Sequence, residues 1–210
     1  MPSGKTSPRG RAGRVRPPEL LRKLIEAAME LERRTMQLYC RFETLFPEPE
    51  EVRAFWFDMA QHESRHFGAL ALVASMLESS PARAWAPAPG LRRAHVERLR
   101  ELLDRAEKAA VPGLPLRKAF EFALAIETSE IEDLVLDLLS ALKGENERER
   151  AVQLLIHDLG DLSYMIEKYG GSKALLRAAD RSIEDQLSRL RGMRVPRTVR
   201  RGGRRSSRLS

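Results

Sequence analysis

The sequence predicts an all-α protein: a bundle of four long helices with a helical crossover and an additional helix at the carboxyl end. Helix-favouring Leu, Ala, Glu and Arg dominate the composition, and aromatic residues make up only 6% of the 210 residues. Apolar residues recur every three or four positions over long stretches, as on one face of a helix. Breaks rich in Pro and Gly separate these stretches, which is the pattern of helical hairpins.

The first two helices form one predicted hairpin. Pro17 and Pro18 stand where a helix begins, so the first helix is expected over about 19–46. A Pro-Glu-Pro break follows, and the second helix is expected over about 50–79. The short break makes the two helices antiparallel neighbours. Their predicted inner seams are Leu21, Ile25, Ala28, Glu32, Thr35, Tyr39, Phe42 and Phe46, and Val52, Trp56, Met59, Glu63, His66, Leu70, Val73 and Leu77.

A Pro- and Ala-rich connector separates this hairpin from a charged helical crossover over about 91–110. A third helix is then expected over about 116–142 and a fourth over about 146–169. The last helix is predicted over about 173–191, with Ser172 as its amino-terminal cap. The predicted inner stripes of the third and fourth helices are Leu116, Phe120, Ala123, Glu127, Glu130 and Leu134, and Leu154, Asp158, Asp161 and Met165.

The net charge of +7 is concentrated at the two ends of the chain. Residues 1–18 contain five Lys or Arg and residues 191–210 contain eight Arg, with no acid in either stretch, so residues 19–190 carry −6. We expect disordered basic tails at 1–18 and 192–210 around a helical domain at 19–191. The tails can bind nucleic acid, dock on an acidic partner, keep the acidic body in solution or serve in targeting. The candidate contact residues are Arg200, Arg201, Arg204 and Arg205.

The cysteine count and the hydropathy pattern exclude several classes of protein. A single cysteine, Cys40, rules out an intrachain disulfide and a four-cysteine metal site within one chain. No apolar run approaches the ~20 residues that a membrane-spanning helix needs, so no membrane association is expected. The expected location is therefore the cytoplasm.

Glu63 and His66 occupy two consecutive positions of an otherwise apolar seam. Residues three apart on a helix lie on the same face, so both side chains are expected to point inward together. A buried carboxylate is costly without a partner, and a metal ion accounts for a buried carboxylate beside an imidazole. A Glu-x-x-His pair alone is a common pattern on solvated helices, so the rest of the chain must supply further ligands.

An internal repeat supplies these further ligands. When the chain is shifted by 95 residues, Glu32 aligns with Glu127, and Glu63 aligns with Asp158. The breaks between the helices coincide in the same register. Each predicted hairpin therefore carries one inward carboxylate and then a second polar pair, with His66 aligned on Asp161.

This pattern resembles the ferritin-like superfamily, and within it the rubrerythrin-like proteins, over about residues 19–169. In that family, each of two helical hairpins joined by a crossover provides one Glu and then a Glu-x-x-His. The first hairpin matches with Glu32, Glu63 and His66, and a pair of Glu three apart on the third helix matches Glu127 and Glu130. The fourth helix departs, because Asp158 replaces the family's Glu and Asp161 its His.

The resemblance implies two metal ions per chain, iron first and manganese as the alternative. It implies that Glu63 and Asp158 bridge the ions, that Glu32 and His66 bind one ion, and that Glu127, with Glu130 or Asp161, binds the other. Such a centre reduces O₂ or peroxide, or handles iron. No rubredoxin-type Cys-x-x-Cys follows, so an oxidoreductase of this kind would need an external electron donor, and homo-oligomer formation stays open.

A second hypothesis belongs to a different class of protein. The shorter Asp158 and the hard oxygen of Asp161 can mark a degenerate site in a non-catalytic bundle whose Arg-rich tails bind nucleic acid or a partner protein. Glu130 also fits a solvated acidic turn. His62 and His157 precede the ligand positions by one residue, and we expect both to lie at the surface.

Overall fold

The computed structural model describes residues 19–79, 93–129 and 145–194. These ranges are almost entirely helical and contain no strand, which confirms the all-α prediction. None of the helices in these ranges is long and apolar enough to cross a membrane. The helices are α1 Glu19–Leu45, α2 Glu50–Ser79, α3 Arg93–Ala109, α4 Leu116–Glu127, α5 Glu145–Met165 followed by a π-helical turn Ile166–Gly170, and α6 Lys173–Arg194.

Helices α1 and α2 pack along each other as the predicted antiparallel hairpin. The first turns of α1 meet the last turns of α2, where Ile25 and Val73 belong to the same apolar cluster. At the other end of the hairpin, Phe42 stacks edge-on against Trp56 with ring centroids 4.9 Å apart. The predicted seams of both helices are confirmed, because their apolar members are buried almost throughout.

Helix α3 lies against α1, and α4 connects α3 to the second half of the chain. Helix α4 ends at Glu127, where the Thr128 N–H donates to the Leu124 carbonyl (3.1 Å) and the Ser129 N–H donates to the Ile126 carbonyl (2.9 Å). Helix α4 is therefore shorter than the third helix predicted over 116–142. The remainder of that prediction from residue 130 onward lies outside the described ranges.

Helix α5 shows a different face from the predicted one. The predicted stripe ran from Leu154 through Asp158 and Asp161, but the buried side of α5 carries Leu155, Asp158 and Leu162. Both stripes share Asp158 and Met165, which are buried as predicted, and they differ in whether the step after Asp158 is three or four residues. Helices α4 and α6 pack against α5. The Leu155–Leu162 side is the buried one, so Leu154 remains 56% exposed.

The last helix begins as predicted and ends later. Gly171 adopts a left-handed conformation (φ +61°) after the π-helical turn, and the Leu175 N–H donates to the Ser172 hydroxyl (3.2 Å). This contact confirms Ser172 as the cap. Helix α6 then continues to Arg194 rather than 191, and both predicted tails, 1–18 and the remainder of 192–210, fall outside the described ranges.

Candidate metal centre

Glu32 of α1 and Glu63 and His66 of α2 come together in the middle of the hairpin. One potential ligand atom from each of these three residues lies within 4.8 Å of the other two. The His66 Nδ1 atom is 3.5 Å from a Glu63 oxygen and 3.8 Å from a Glu32 oxygen. The predicted inward positions of all three residues are therefore confirmed, and their binding of a metal stays a prediction.

The carboxylates of this group are buried between two apolar clusters. One cluster contains Ile25 and Val73, and the other contains Tyr39 and Trp56. Both Glu63 oxygens and one Glu32 oxygen are inaccessible to solvent and accept no hydrogen bond of good geometry among the described residues, although His66 lies near Glu63. Burial raises the pKa of the Glu63 carboxyl well above its usual value, and the charges of Glu127 and Glu32 raise the pKa further. A bound cation would reverse both effects.

Glu127, at the end of α4, approaches the same group from the other half of the chain. The Tyr39 hydroxyl donates a hydrogen bond to Glu127 Oε1 at 2.7 Å. Burial raises the pKa of the Glu127 carboxyl, the hydrogen bond from Tyr39 opposes this shift, and Asp158 adds to it. Tyr39 is fully buried, so it holds one Glu127 oxygen in a fixed orientation.

Asp158 of α5 is also buried, in agreement with the prediction, and the imidazole beside it is unexpected. The His62 Nδ1 atom on α2 lies 2.9 Å from Asp158 Oδ1. We expected His62 at the surface, but its side chain is only 20% exposed. The prediction for His62 was wrong because α5 packs close enough to α2 to cover a position beside the seam.

The other predicted ligands do not join this group. Asp161 is 56% exposed and lies 3.2 Å from His157, which is 70% exposed as expected. The inward position predicted for Asp161 is therefore incorrect, and the reason is the rotated buried face of α5. Glu130 falls outside the described ranges, and so do the candidate tail residues Arg200, Arg201, Arg204 and Arg205.

His62 was expected at the surface, although the sequence contains a signal for its place beside the group. Residues 62–66 form a His-Glu-x-x-His motif. On a helix this spacing puts two imidazoles on one face, one turn apart. Considering only the three- and four-residue steps of the apolar seam left His62 out.

The described residues thus assemble four buried carboxylates, Glu32, Glu63, Glu127 and Asp158, beside two imidazoles. Several carboxylates sharing a desolvated site either take up protons or bind cations. Oxygen ligands with one imidazole per position suit iron or manganese, and unpartnered buried oxygens are positions that a cation can fill. No protein-family model, curated protein or solved structure matches this chain.

Proposed function

We propose that the chain is a metal-carboxylate protein of the ferritin-like, rubrerythrin-like kind, which binds two iron ions, or manganese, between its helical hairpins. One observation carries this proposal. Glu32, Glu63 and His66 converge within 4.8 Å, and both oxygens of the buried Glu63 accept no hydrogen bond of good geometry among the described residues. A bound cation would satisfy these buried oxygens and offset the repulsion between the carboxylates.

The order of the helices agrees with this proposal. The α1–α2 hairpin provides Glu32, Glu63 and His66, α3 crosses over, and α4 and α5 provide Glu127 and Asp158. A ferritin-like bundle would place one carboxylate of each helix at a shared level, and the four buried carboxylates come from four different helices.

The residues around the centre determine what it can do. A bound pair of iron ions would supply electrons for the reduction of O₂ or peroxide. The Tyr39 hydroxyl holds Glu127 and keeps a proton next to the centre. The aromatic cluster that contains Tyr39 and Trp56 excludes water on one side, whereas His62 and His66 are 20% and 22% exposed, so a small molecule can approach along the imidazoles.

The first test is the metal content of the purified protein, measured by elemental analysis after anaerobic addition of Fe(II) and, separately, Mn(II). We expect about two ions per chain, and we expect Glu63→Ala to lose at least one of them, because Glu63 is the most buried ligand. Glu78→Ala is the matched control, since Glu78 is an exposed residue of the same helix.

A wild-type protein that binds neither metal would exclude the proposal. If metal is bound, the rates of O₂ and peroxide consumption by the Fe(II)-loaded protein separate an oxidase or peroxidase from a protein that stores or transfers iron. A protein that binds iron but consumes neither oxidant faster than Glu63→Ala would belong to the second group.

A further inference from the structure

We infer that His62 of α2 provides the nitrogen ligand of the second metal position, together with Asp158 of α5. This inference rests on the proposed function and specifies how the second half of the centre is built. The internal repeat assigns that place to Asp161, whose side chain the structure leaves 56% exposed. An imidazole from α2 would take the place of the missing one on α5.

The geometry of the pair is that of two ligands of one ion. His62 Nδ1 lies 2.9 Å from Asp158 Oδ1, but this buried nitrogen does not meet the directional requirement of a hydrogen bond. Two atoms bound cis to each other, each about 2.1 Å from an octahedral ion, are about 3.0 Å apart. In that arrangement His62 Nδ1 would point at the ion rather than at Asp158. The two atoms would then lie close together without a hydrogen bond between them.

Glu63 connects this second position to the first. Its oxygens accept no hydrogen bond of good geometry among the described residues, and the side chain is 1% exposed. The charges of Glu127 and Glu32 both raise the pKa of its carboxyl. The charge of Asp158 in turn raises the pKa of the Glu127 carboxyl. Glu63 is therefore placed to bridge an ion held by Glu32 and His66 and an ion held by Asp158 and His62.

The His-Glu-x-x-His spacing also admits one ion held by both imidazoles, as in zinc hydrolases. The geometry favours two positions instead. Within the described ranges, no set of three potential ligand atoms inside 4.8 Å includes both His62 and His66. The nearest carboxylates also differ, since His62 lies 2.9 Å from Asp158 and His66 lies 3.5 Å from Glu63 and 3.8 Å from Glu32.

The test is equilibrium dialysis of the full chain against Fe(II) under anaerobic conditions, repeated with Mn(II) and Zn(II), with circular dichroism as the check of folding. We expect His62→Ala to keep one ion and to bind the other at least about tenfold more weakly. Asp158→Asn preserves the shape of the side chain, and we expect it to weaken the same ion. His66→Ala should weaken the opposite ion and leave the His62 position occupied.

Two matched controls are available on α5. His157→Ala changes the imidazole that the internal repeat aligns with His62, and Asp161→Asn changes the ligand that the repeat predicts. Both should keep two ions per chain. Loss of the second ion in either control, with no loss in His62→Ala, would overturn the inference while the proposed function stood. Loss of one and the same ion in both His62→Ala and His66→Ala would overturn it in favour of a shared site. A wild-type chain that binds no metal would instead overturn the proposed function, and this inference with it.

Discussion

Glu63 illustrates how one residue can oppose the stability of the fold that contains it. Its carboxyl is fully buried, its oxygens accept no hydrogen bond of good geometry among the described residues, and its pKa is raised well above the usual value by burial. In the metal-free protein this residue therefore costs free energy of folding at neutral pH. A residue kept at such a cost is typical of a functional position.

The substitution Glu63→Gln is expected to stabilise the metal-free protein at pH 7, because a neutral amide of the same shape removes the buried charge. The expected gain in the free energy of unfolding is roughly 1–4 kcal/mol. Urea unfolding in the presence of a chelator measures it. Glu78→Gln, at an exposed position of the same helix, should change the stability little. A loss of stability in Glu63→Gln would show that protein groups already satisfy the carboxylate.

At the scale of the helices, Arg34 of α1 makes the side-chain ion pairs that connect α1 to α3. Arg34 donates from Nε and Nη2 to the two oxygens of Glu107, both at 2.8 Å, and from Nη2 to Asp104 at 2.6 Å. The Arg34 side chain is largely buried, and these contacts raise its pKa, so it stays charged at any relevant pH. A two-pronged contact of this kind also sets the orientation of α3.

The substitution Arg34→Ala removes the hydrogen bonds to Glu107 and Asp104 and is expected to lower the free energy of unfolding by about 1–2 kcal/mol. The loss stays in this range because water can partly solvate the two acids once Arg34 is gone. The midpoint of urea unfolding measures the change. Arg33→Ala is the control, since Arg33 pairs with Glu30 in its own helix and both side chains are exposed. An equal effect of both substitutions would mean that helix propensity, not the α1–α3 contact, is responsible.

Helices α2 and α5 are also connected through Glu51, in the first turn of α2. Its carboxylate accepts hydrogen bonds from Lys168 (2.6 Å), Tyr169 (2.6 Å) and Tyr164 (3.0 Å). The contacts with Lys168 and Tyr169 lower the pKa of the Glu51 carboxyl to about 2. The ionised form is thus the one that the folded protein favours.

Because the pKa of Glu51 is lower in the folded protein than its usual 4.5, the stabilisation from this residue is complete above pH 4.5 and is lost as the pH falls toward 2. We expect Glu51→Gln to lower the melting temperature at pH 7, and the difference from the wild type to shrink below pH 4.5. Thermal unfolding followed by circular dichroism across this range tests the expectation. Glu50→Gln is the control, because Glu50 pairs with Arg53 in its own helix.

For the molecule as a whole, the proposed centre joins the two halves of the chain, since its residues come from α1, α2, α4 and α5. A ligand that binds only the folded state stabilises that state by about 2.7 kcal/mol at a concentration of 100 times Kd. For a chain of this size, we expect the melting temperature to rise by about 5–11 °C with Fe(II) or Mn(II). A chelator should reverse the shift, and Glu63→Ala should abolish it.

The basic tails remain the basis of the second hypothesis, in which the bundle binds nucleic acid. Helix α6 ends at Arg194, so deletion of residues 195–210 would remove most of the Arg-rich tail without shortening a helix. If the hypothesis holds, the full chain shifts a labelled duplex at low salt, and the shift weakens steeply as salt is added. The deleted protein should then bind metal as the full chain does and no longer shift the duplex. Equal shifts by both proteins would exclude the tail as the contact.

The sequence by itself was sufficient for where the described helices begin and for most of the buried polar positions. Breaks and caps are local signals, so α2 begins and ends where expected and Ser172 caps α6. The seams of α1 and α2 follow from the period of a single helix. The internal repeat correctly indicated that Glu127 and Asp158 are buried.

Only the tertiary structure decided which side of α5 faces inward and which imidazole meets Asp158. The internal repeat indicated the stripe that contains Asp161, but the packing of α4 and α6 against α5 buries Leu155 and Leu162 and leaves Asp161 exposed. The contact between His62 and Asp158 joins two residues that are 96 positions apart in the chain and lie on different helices. Such a contact depends on the distance and rotation between two helices, and neither is encoded in the period of one helix alone.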